Sequence, residues 1–221
     1  MTRTLQTQPR SIIAARRTVA PHRSRGDEPL TALRQRRLIR DLRIEFPDDV
    51  EGQTPRIRVS RCRPGFIHPI GRREIGEVLT LFGSVVRYGL RSIELRQSVG
   101  EAAGSFILAR LLVPGRIVLY EQPQPPWLIQ GELSQGSRGR LEGAGATVQS
   151  DPFVTRVEWA GDSLAGYMLF DGLMHEIGHH LIQQYTGKRL TRVMRTGDHE
   201  RRADRFAEAC RQVWVERRPP A

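Results

Sequence analysis

From Phe170 to Gln183 the chain reads Phe-Asp-Gly-Leu-Met-His-Glu-Ile-Gly-His-His-Leu-Ile-Gln, which contains His175, Glu176 and His179 in the order H-E-x-x-H. Residues four apart lie on one face of an α-helix, so the imidazoles of His175 and His179 can bind one metal ion. Glu176 lies about 100° further around the helix, where its carboxylate can reach a water on that metal and act as a general base. The stretch therefore predicts a helix built around a zinc site.

An apolar stripe indicates how this helix packs. The stripe faces away from the two histidines and consists of Phe170, Leu173, Ile177 and Leu181. Apolar residues that recur at this spacing form the buried side of an amphipathic helix. We therefore expect one side of the helix to lie in the hydrophobic core and the other side to bind the metal.

A second segment supplies the further ligand that zinc requires. The H-E-x-x-H pattern also occurs by chance, but a catalytic zinc site has three protein ligands and one open position. Residues 198–207 read Asp-His-Glu-Arg-Arg-Ala-Asp-Arg-Phe-Ala, in which Glu200 and Asp204 share one helical face. Ala203 and Ala207 on that face are small enough to let two helices approach closely. The pattern predicts Glu200 as the third ligand and Asp204 as the acceptor of a hydrogen bond from a ligand imidazole.

His199 and Asp204 are the competing candidates for the third ligand position. On a helix His199 is rotated by about 100° from Glu200, so these two side chains cannot both point at one ion. If Asp204 were the ligand, Glu200 would be an unpaired carboxylate beside the site, which is unfavourable. We therefore expect the side chains of His175, His179 and Glu200 to converge on one point.

The two half-motifs, His175-Glu176-x-x-His179 and Glu200-x-x-x-Asp204, resemble those of the gluzincin metallopeptidases. Among these the chain is most similar to the small single-domain forms, the minigluzincins, and to the HtpX-like and ImmA/IrrE-like families. The resemblance implies a zinc-dependent endopeptidase in which His175, His179 and Glu200 bind Zn²⁺ and Glu176 is the general base. It also implies a protein or peptide substrate.

The order of the predicted elements fits an α+β, zincin-like metallopeptidase domain with a mixed β-sheet packed on helices. In chain order they are a helix after Asp27, a strand at 56–60, a helix at 73–88, strands at 91–97 and 116–121, and a strand at 153–159 before the H-E-x-x-H helix. Residues 105–113 are apolar and fit either a helix or a strand. The glycine-rich residues 131–146 predict a flexible surface loop that could act as a flap near the cleft.

An edge strand is expected above the H-E-x-x-H helix. In the resembling families this strand holds an extended peptide by main-chain hydrogen bonds. Residues 153–159 alternate as a strand does and come shortly before the site helix, so we assign them as this edge strand. A strand that is exposed at an edge but binds nothing would show the same pattern.

The charge of the chain is unevenly distributed. The net charge of +11 and the pI near 11.0 first suggest a nucleic-acid partner. Residues 1–26 hold six arginines and no acid, so they carry +6, and residues 27–221 carry the remaining +5. We interpret residues 1–26 as a disordered tail that lacks core-forming side chains, and residues 27–221 as a single domain. Nucleic-acid binding through the tail is the less favoured role, because Lys188 is the only lysine and the arginine excess indicates a general compositional bias.

The cellular location follows from what the sequence does and does not contain. No apolar run approaches the length of a membrane span, and residues 1–26 lack the apolar core of a secretory signal. We therefore expect a cytoplasmic protein. The arginine-rich, acid-free composition of residues 1–26 also fits a transit peptide, so an organellar location is the alternative.

A gluzincin peptidase usually stabilises the oxyanion of its tetrahedral intermediate with a His, Tyr or Arg side chain. The candidates for this role are Arg205, Tyr120, Tyr167, Tyr185 and His199. The sequence as a whole predicts a zinc metallopeptidase. The alternative is a non-catalytic, zinc-containing regulatory or nucleic-acid-binding protein with a basic N-terminal arm.

Overall fold

The computed structural model describes residues 31, 34, 37, 40, 53–98, 107–185 and 196–217. The predicted tail, residues 1–26, lies outside the described residues. So does most of the predicted helix after Asp27, of which Arg34, Arg37 and Arg40 are described as helical and exposed.

Both helices and strands form the described part of the chain. The strands are β1 (Arg56–Val59), β2 (Phe66–Ile67), β3 (Ser92–Arg96), β4 (Ala109–Leu112), β5 (Arg116–Tyr120), β6 (Gln122–Pro123), β7 (Trp127–Gln130), β8 (Ala146–Ser150) and β9 (Val154–Trp159). The helices are α1 (Arg72–Phe82), α2 (Ser84–Arg87), α3 (Gln135–Gly143), α4 (Ser163–Tyr167), a π-helical segment (Met168–Met174), α5 (His175–Tyr185) and α6 (Gly197–Arg217). The prediction of an α+β chain is confirmed.

The main sheet has the strand order β1-β3-β5-β4. Strands β1, β3 and β5 are parallel, whereas β4 pairs antiparallel with β5. One row of paired residues, Ile57, Ile93 and Ile117, contributes to the main hydrophobic core, in which Ile93 and Ile117 are fully buried. The sheet is therefore mixed, as predicted, and β4 is one of its two edges among the described strands.

A smaller antiparallel sheet has the order β7-β9-β8. Its buried side chains form a second apolar cluster together with residues of α3 and α4. The buried members of this cluster are Trp127, Ile129, Leu141, Ala146, Val148, Val157, Leu164 and Tyr167. Strands β2 and β6 form a separate short antiparallel pair.

Two predictions for this region are wrong. The sequence pattern predicts the edge strand at residues 153–159, but the corresponding β9 lies in the centre of its sheet, between β7 and β8. The glycine content of residues 131–146 predicts a flexible loop, but these residues contain α3. The Oγ of Ser134 caps α3 by accepting a hydrogen bond of 3.1 Å from the Ser137 N–H, and Leu141 is buried in the second cluster. Capping and burial thus outweigh the low helix propensity of the glycines.

The structure also answers two questions of secondary structure that the sequence pattern left open or answered differently. Residues 105–113, which fitted a helix or a strand, contain β4. The helix predicted at 73–88 is divided at Gly83 into α1 and α2. Gly83 has a φ of 73°, in the left-handed region that glycine adopts without steric cost, so its presence permits the break.

The site helix runs from Ser163 to Tyr185 through α4, the π-helical segment and α5 without interruption. The predicted apolar stripe is confirmed, since each of its four residues is at most 2% exposed: Phe170, Leu173, Ile177 and Leu181. Helix α6 packs against the other side of α5. At the crossing, a Cβ on Gly178 would lie 3.1 Å from Ala203 Cα and 3.3 Å from Ala203 Cβ. Glycine facing alanine therefore lets the two helices approach as closely as they do.

Candidate metal centre

Helices α5 and α6 bring three side chains of the predicted site together. His175 and His179 lie one turn apart in the first part of α5, and Glu200 lies in the first turn of α6. One donor atom from each side chain lies within 4.8 Å of the donor atoms of the other two. The predicted convergence of these three side chains is confirmed.

The separations between the donor atoms suit a metal ion. The Nε2 atoms of His175 and His179 are 3.0 Å apart, and Glu200 Oε2 lies 3.3 Å and 3.2 Å from them, respectively. Tetrahedral zinc with bonds of about 2.0–2.2 Å holds its ligand atoms about 3.3–3.6 Å apart. The triangle formed by the three atoms is therefore close to the size that bound zinc would impose.

Asp204 contacts one of the two histidines. Its Oδ1 lies 2.9 Å from His175 Nδ1, one helical turn beyond Glu200 on α6. A carboxylate accepts a hydrogen bond from Nδ1–H, which leaves the Nε2 lone pair of His175 directed at the common point. The geometry therefore places Asp204 beside the His175 imidazole and outside the triangle of donor atoms.

Glu176 points towards the main sheet. Its Oε2 accepts a hydrogen bond of 2.9 Å from the N–H of Leu111 in β4, and the residue is 4% exposed. Successive residues of an antiparallel strand direct their N–H groups to opposite sides. Leu111 therefore directs its N–H away from β5, towards α5, and Glu176 occupies the space between the site helix and the outer side of β4.

The structure adds an ion pair that sequence reasoning missed. Asp171, one turn before His175, pairs with Arg211 near the end of α6. Burial raises the pKa of the Asp171 carboxyl, while the charge of Arg211 acts in the opposite direction. The pair ties the π-helical segment to α6. Asp171 continues the four-residue spacing of the two histidines, which is a signal that the sequence contains.

His180 and His199 lie outside the triangle of donor atoms. The Nε2 of His180 lies 2.9 Å from the carbonyl oxygen of Tyr88, and burial lowers the pKa of this imidazole. His199 is half-buried at the start of α6, where its backbone N–H donates to Thr196 Oγ1 at 3.3 Å.

The candidates for oxyanion stabilisation lie in different places. The ring of Tyr167 packs 5.1 Å from the ring of Trp159, and burial raises the pKa of Tyr167 to about 12, so this side chain belongs to the second apolar cluster. Tyr120 is half-buried at the end of β5, and Arg205 is exposed on α6. The side chain of Tyr185 lies outside the described part of the chain.

Comparison with known proteins gives this chain no relatives, since no protein-family model, no curated protein and no solved structure matches it. Among the described residues there is no helix that combines the length and the apolar character needed to cross a membrane. The chemistry of the site must therefore be inferred from the geometry of its own residues.

Proposed function

We propose that the protein is a zinc-dependent peptidase in which His175, His179 and Glu200 bind the metal and Glu176 is the general base. The observation that carries this proposal is the triangle of donor atoms with separations of 3.0, 3.2 and 3.3 Å. Two imidazoles and one carboxylate are a donor set of catalytic zinc sites in proteases. The contact between Asp204 and His175 supports the proposal, because ligand histidines commonly donate their other N–H to a carboxylate.

The number of ligands separates a catalytic site from a structural one. Structural zinc sites usually have four protein ligands, whereas a catalytic site has three and an open position. Within the described residues the cluster contains three candidate ligands. This favours the peptidase over the alternative of a non-catalytic zinc protein that binds nucleic acid or regulates a partner.

Each side chain of the site has a distinct task in the proposed reaction. Zinc held there would lower the pKa of a water molecule and polarise the carbonyl of the scissile peptide bond. Glu176 would take a proton from the attacking water and pass it to the leaving amine. Asp204 would keep His175 in the tautomer whose Nε2 can bind metal.

We assign the substrate to the edge strand β4, because an edge strand holds an extended peptide in the families that the two half-motifs resemble. The outer side of β4 faces Glu176, since the Leu111 N–H donates a hydrogen bond to its carboxylate. An extended peptide that adds to this edge by main-chain hydrogen bonds would pass beside the Glu176 carboxylate. Such a peptide would also compete for the Leu111 N–H, which would release Glu176 for proton transfer. We therefore assign to β4 the role of the edge strand that holds the substrate. Residues 153–159 cannot have this role, because β9 lies in the centre of its sheet.

Metal analysis and a cleavage assay test the proposal together. The full chain is purified, its metal content is measured, and a library of peptides is incubated with the protein before and after treatment with a chelator. We expect one zinc per chain, cleavage that the chelator abolishes, and recovery on adding zinc.

The matched control is Glu176→Gln, which keeps the size of the side chain and removes the base. Zinc without cleavage of any peptide in the wild type would overturn the peptidase and favour the non-catalytic alternative. Binding of a metal other than zinc would leave the geometry intact and change the identity of the ion.

A further inference from the structure

A cleft of about 650 Å³ opens where the parallel strands of the main sheet begin. Four exposed arginines line it: Arg56, Arg58, Arg91 and Arg116. In the sheet, Ser92 pairs with Arg56 on one side and with Arg116 on the other. Neighbouring strands are about 4.8 Å apart, so the Cα atoms of the two arginines are about 10 Å apart. The small Ser92 between them leaves room for a ligand between two guanidinium groups.

The cleft carries an excess of positive charge. Glu94 is the one acid among its described lining residues, and this carboxylate already has partners. It forms an ion pair with Arg96, and its Oε1 accepts a hydrogen bond of 3.2 Å from Ser92 Oγ. No ion pair connects the four lining arginines with an acid among the described residues. Their guanidinium groups are therefore available to an anionic ligand.

The cleft lies next to the proposed catalytic edge. Strand β4 leads directly into Val113 and Pro114, which line the cleft. Leu111, whose N–H binds Glu176, precedes Val113 by two residues, a distance of about 7 Å along an extended chain. A peptide that follows the outer side of β4 past Glu176 would therefore reach the arginines after a few residues.

We propose that this cleft binds an acidic segment of the polypeptide substrate, a few residues from the bond that is cleaved. The inference rests on the proposed peptidase function and deepens it by naming a substrate class. Arg56 and Arg58 are two residues apart on β1, so their side chains project from the same face about 7 Å apart. Acidic side chains at alternate positions of an extended peptide have the same spacing, and guanidinium forks bind carboxylates in a bidentate manner.

A nucleic acid is the less suitable partner for this cleft. Phosphates also bind arginine forks, but sites for single-stranded nucleic acid combine positive charge with aromatic side chains on which the bases stack. The described lining residues include no aromatic side chain. The chemistry of the cleft therefore favours carboxylates on a polypeptide.

Binding can be measured without hydrolysis in the full-length Glu176→Gln variant. The probe is a fluorescent synthetic peptide that contains a run of glutamates, and fluorescence anisotropy gives its Kd at moderate ionic strength. We expect Arg56→Gln combined with Arg116→Gln to weaken binding about ten-fold, since each exposed charge pair contributes modestly. The same peptide with glutamine in place of glutamate should bind weakly to both proteins.

The control variant combines Arg72→Gln with Arg156→Gln. It removes the same charge from exposed arginines outside the cleft, so an equal loss of binding in both double variants would overturn the site and indicate general electrostatic attraction. Failure of the parent protein to bind the acidic peptide would also overturn the proposal. If a single-stranded oligonucleotide binds more tightly than the acidic peptide, and this binding depends on the cleft arginines, the ligand is a nucleic acid and the proposed polypeptide is wrong.

Acids of the chain itself are a further possible ligand of the cleft. Asp48, Asp49 and Glu51 precede Gln53 in the sequence and lie outside the described residues. A variant with all three acids replaced by their amides tests this. If only that variant binds the acidic probe, the arginines serve an intramolecular contact and the proposed substrate site is wrong.

Cleavage kinetics separate failure of this proposal from failure of the peptidase. With an otherwise cleavable peptide that carries the glutamates, the cleft double variant should show a raised KM and an unchanged kcat, because the binding affected is remote from the reacting bond. An unchanged KM would overturn the cleft and leave the peptidase standing. Cleft-dependent binding without cleavage of any peptide would overturn the peptidase activity. The acidic polypeptide would then be a ligand of the cleft and not a substrate.

Discussion

Replacing Asp204 with alanine tests whether the site is organised for metal binding. The 2.9 Å contact between Asp204 Oδ1 and His175 Nδ1 is expected to hold His175 with its Nε2 directed at the metal. Loss of such a carboxylate typically weakens metal affinity about 10- to 100-fold. The Asp204 side chain is 50% exposed, so solvent screens the interaction and we expect the lower end, about ten-fold or about 1.4 kcal/mol.

The assay is competition for zinc between the protein and a fluorescent chelator of known affinity. Asp204→Asn is the informative companion variant, because its amide oxygen can still accept the hydrogen bond from Nδ1–H without carrying a charge. We expect its affinity to lie between those of the wild type and Asp204→Ala. Glu216→Gln, which removes another exposed acid of α6, controls for the change in net charge. Wild-type affinity in Asp204→Ala would refute the orienting role, and wild-type affinity in Glu200→Ala as well would refute the site.

Three further predictions follow from particular contacts. Glu176→Gln should keep zinc at the wild-type level, measured by metal analysis, and lose hydrolysis; equal loss of metal would contradict its role as base. Gly178→Ala should push α6 away from α5, because its Cβ would lie 3.1 Å from Ala203 Cα, and should lower both zinc affinity and melting temperature; an unchanged protein would show that the helices separate at no cost. Tyr167 has a pKa raised to about 12 by burial, so the folded state keeps this proton where the unfolded chain loses it, and stability should fall as the pH rises from about 10 to 12. Urea unfolding should show that Tyr167→Phe reduces this loss, and an identical pH dependence in the variant would disprove the assignment.

The core of the candidate site could be predicted because its determinants are local. The spacing of His175 and His179, and that of Glu200 and Asp204, depends only on helical periodicity. The close approach of the two helices followed from the small residues between them, and Ala203 does face Gly178. Once both helices form, the spacing of residues along each helix therefore determines the geometry of the site.

The position of the edge strand could not be predicted from the local sequence pattern. Residues 153–159 alternate between exposed and buried side chains, as expected, but the alternation reports one buried face of a sheet and says nothing about neighbouring strands. Strand order depends on pairing between distant segments. The actual edge, β4, lies in an apolar stretch whose pattern did not distinguish a helix from a strand.

Contacts between distant residues account for the other omissions. The ion pair of Asp171 with Arg211 joins residues 40 positions apart, and the bond between Leu111 and Glu176 joins residues 65 positions apart. The second of these uses a backbone N–H, which every residue except proline has, so no residue type marks it. Helix α3 was missed because its glycines have low helix propensity and its stability comes from Ser134 and from burial of Leu141.

The π-helical segment Met168–Met174 gives this region a tolerance in length that the rest of the site helix lacks. A π-turn holds about one residue more than an α-turn, so deleting one residue from the segment would let it return to α-helical hydrogen bonding. The same full turn would then be closed with one residue fewer, so His175 and His179 would still face α6 and Tyr167 would stay in the second apolar cluster. In α5 there is no such extra residue, and each residue turns an α-helix by about 100°. A single deletion between His175 and His179 would therefore turn one histidine away from the other.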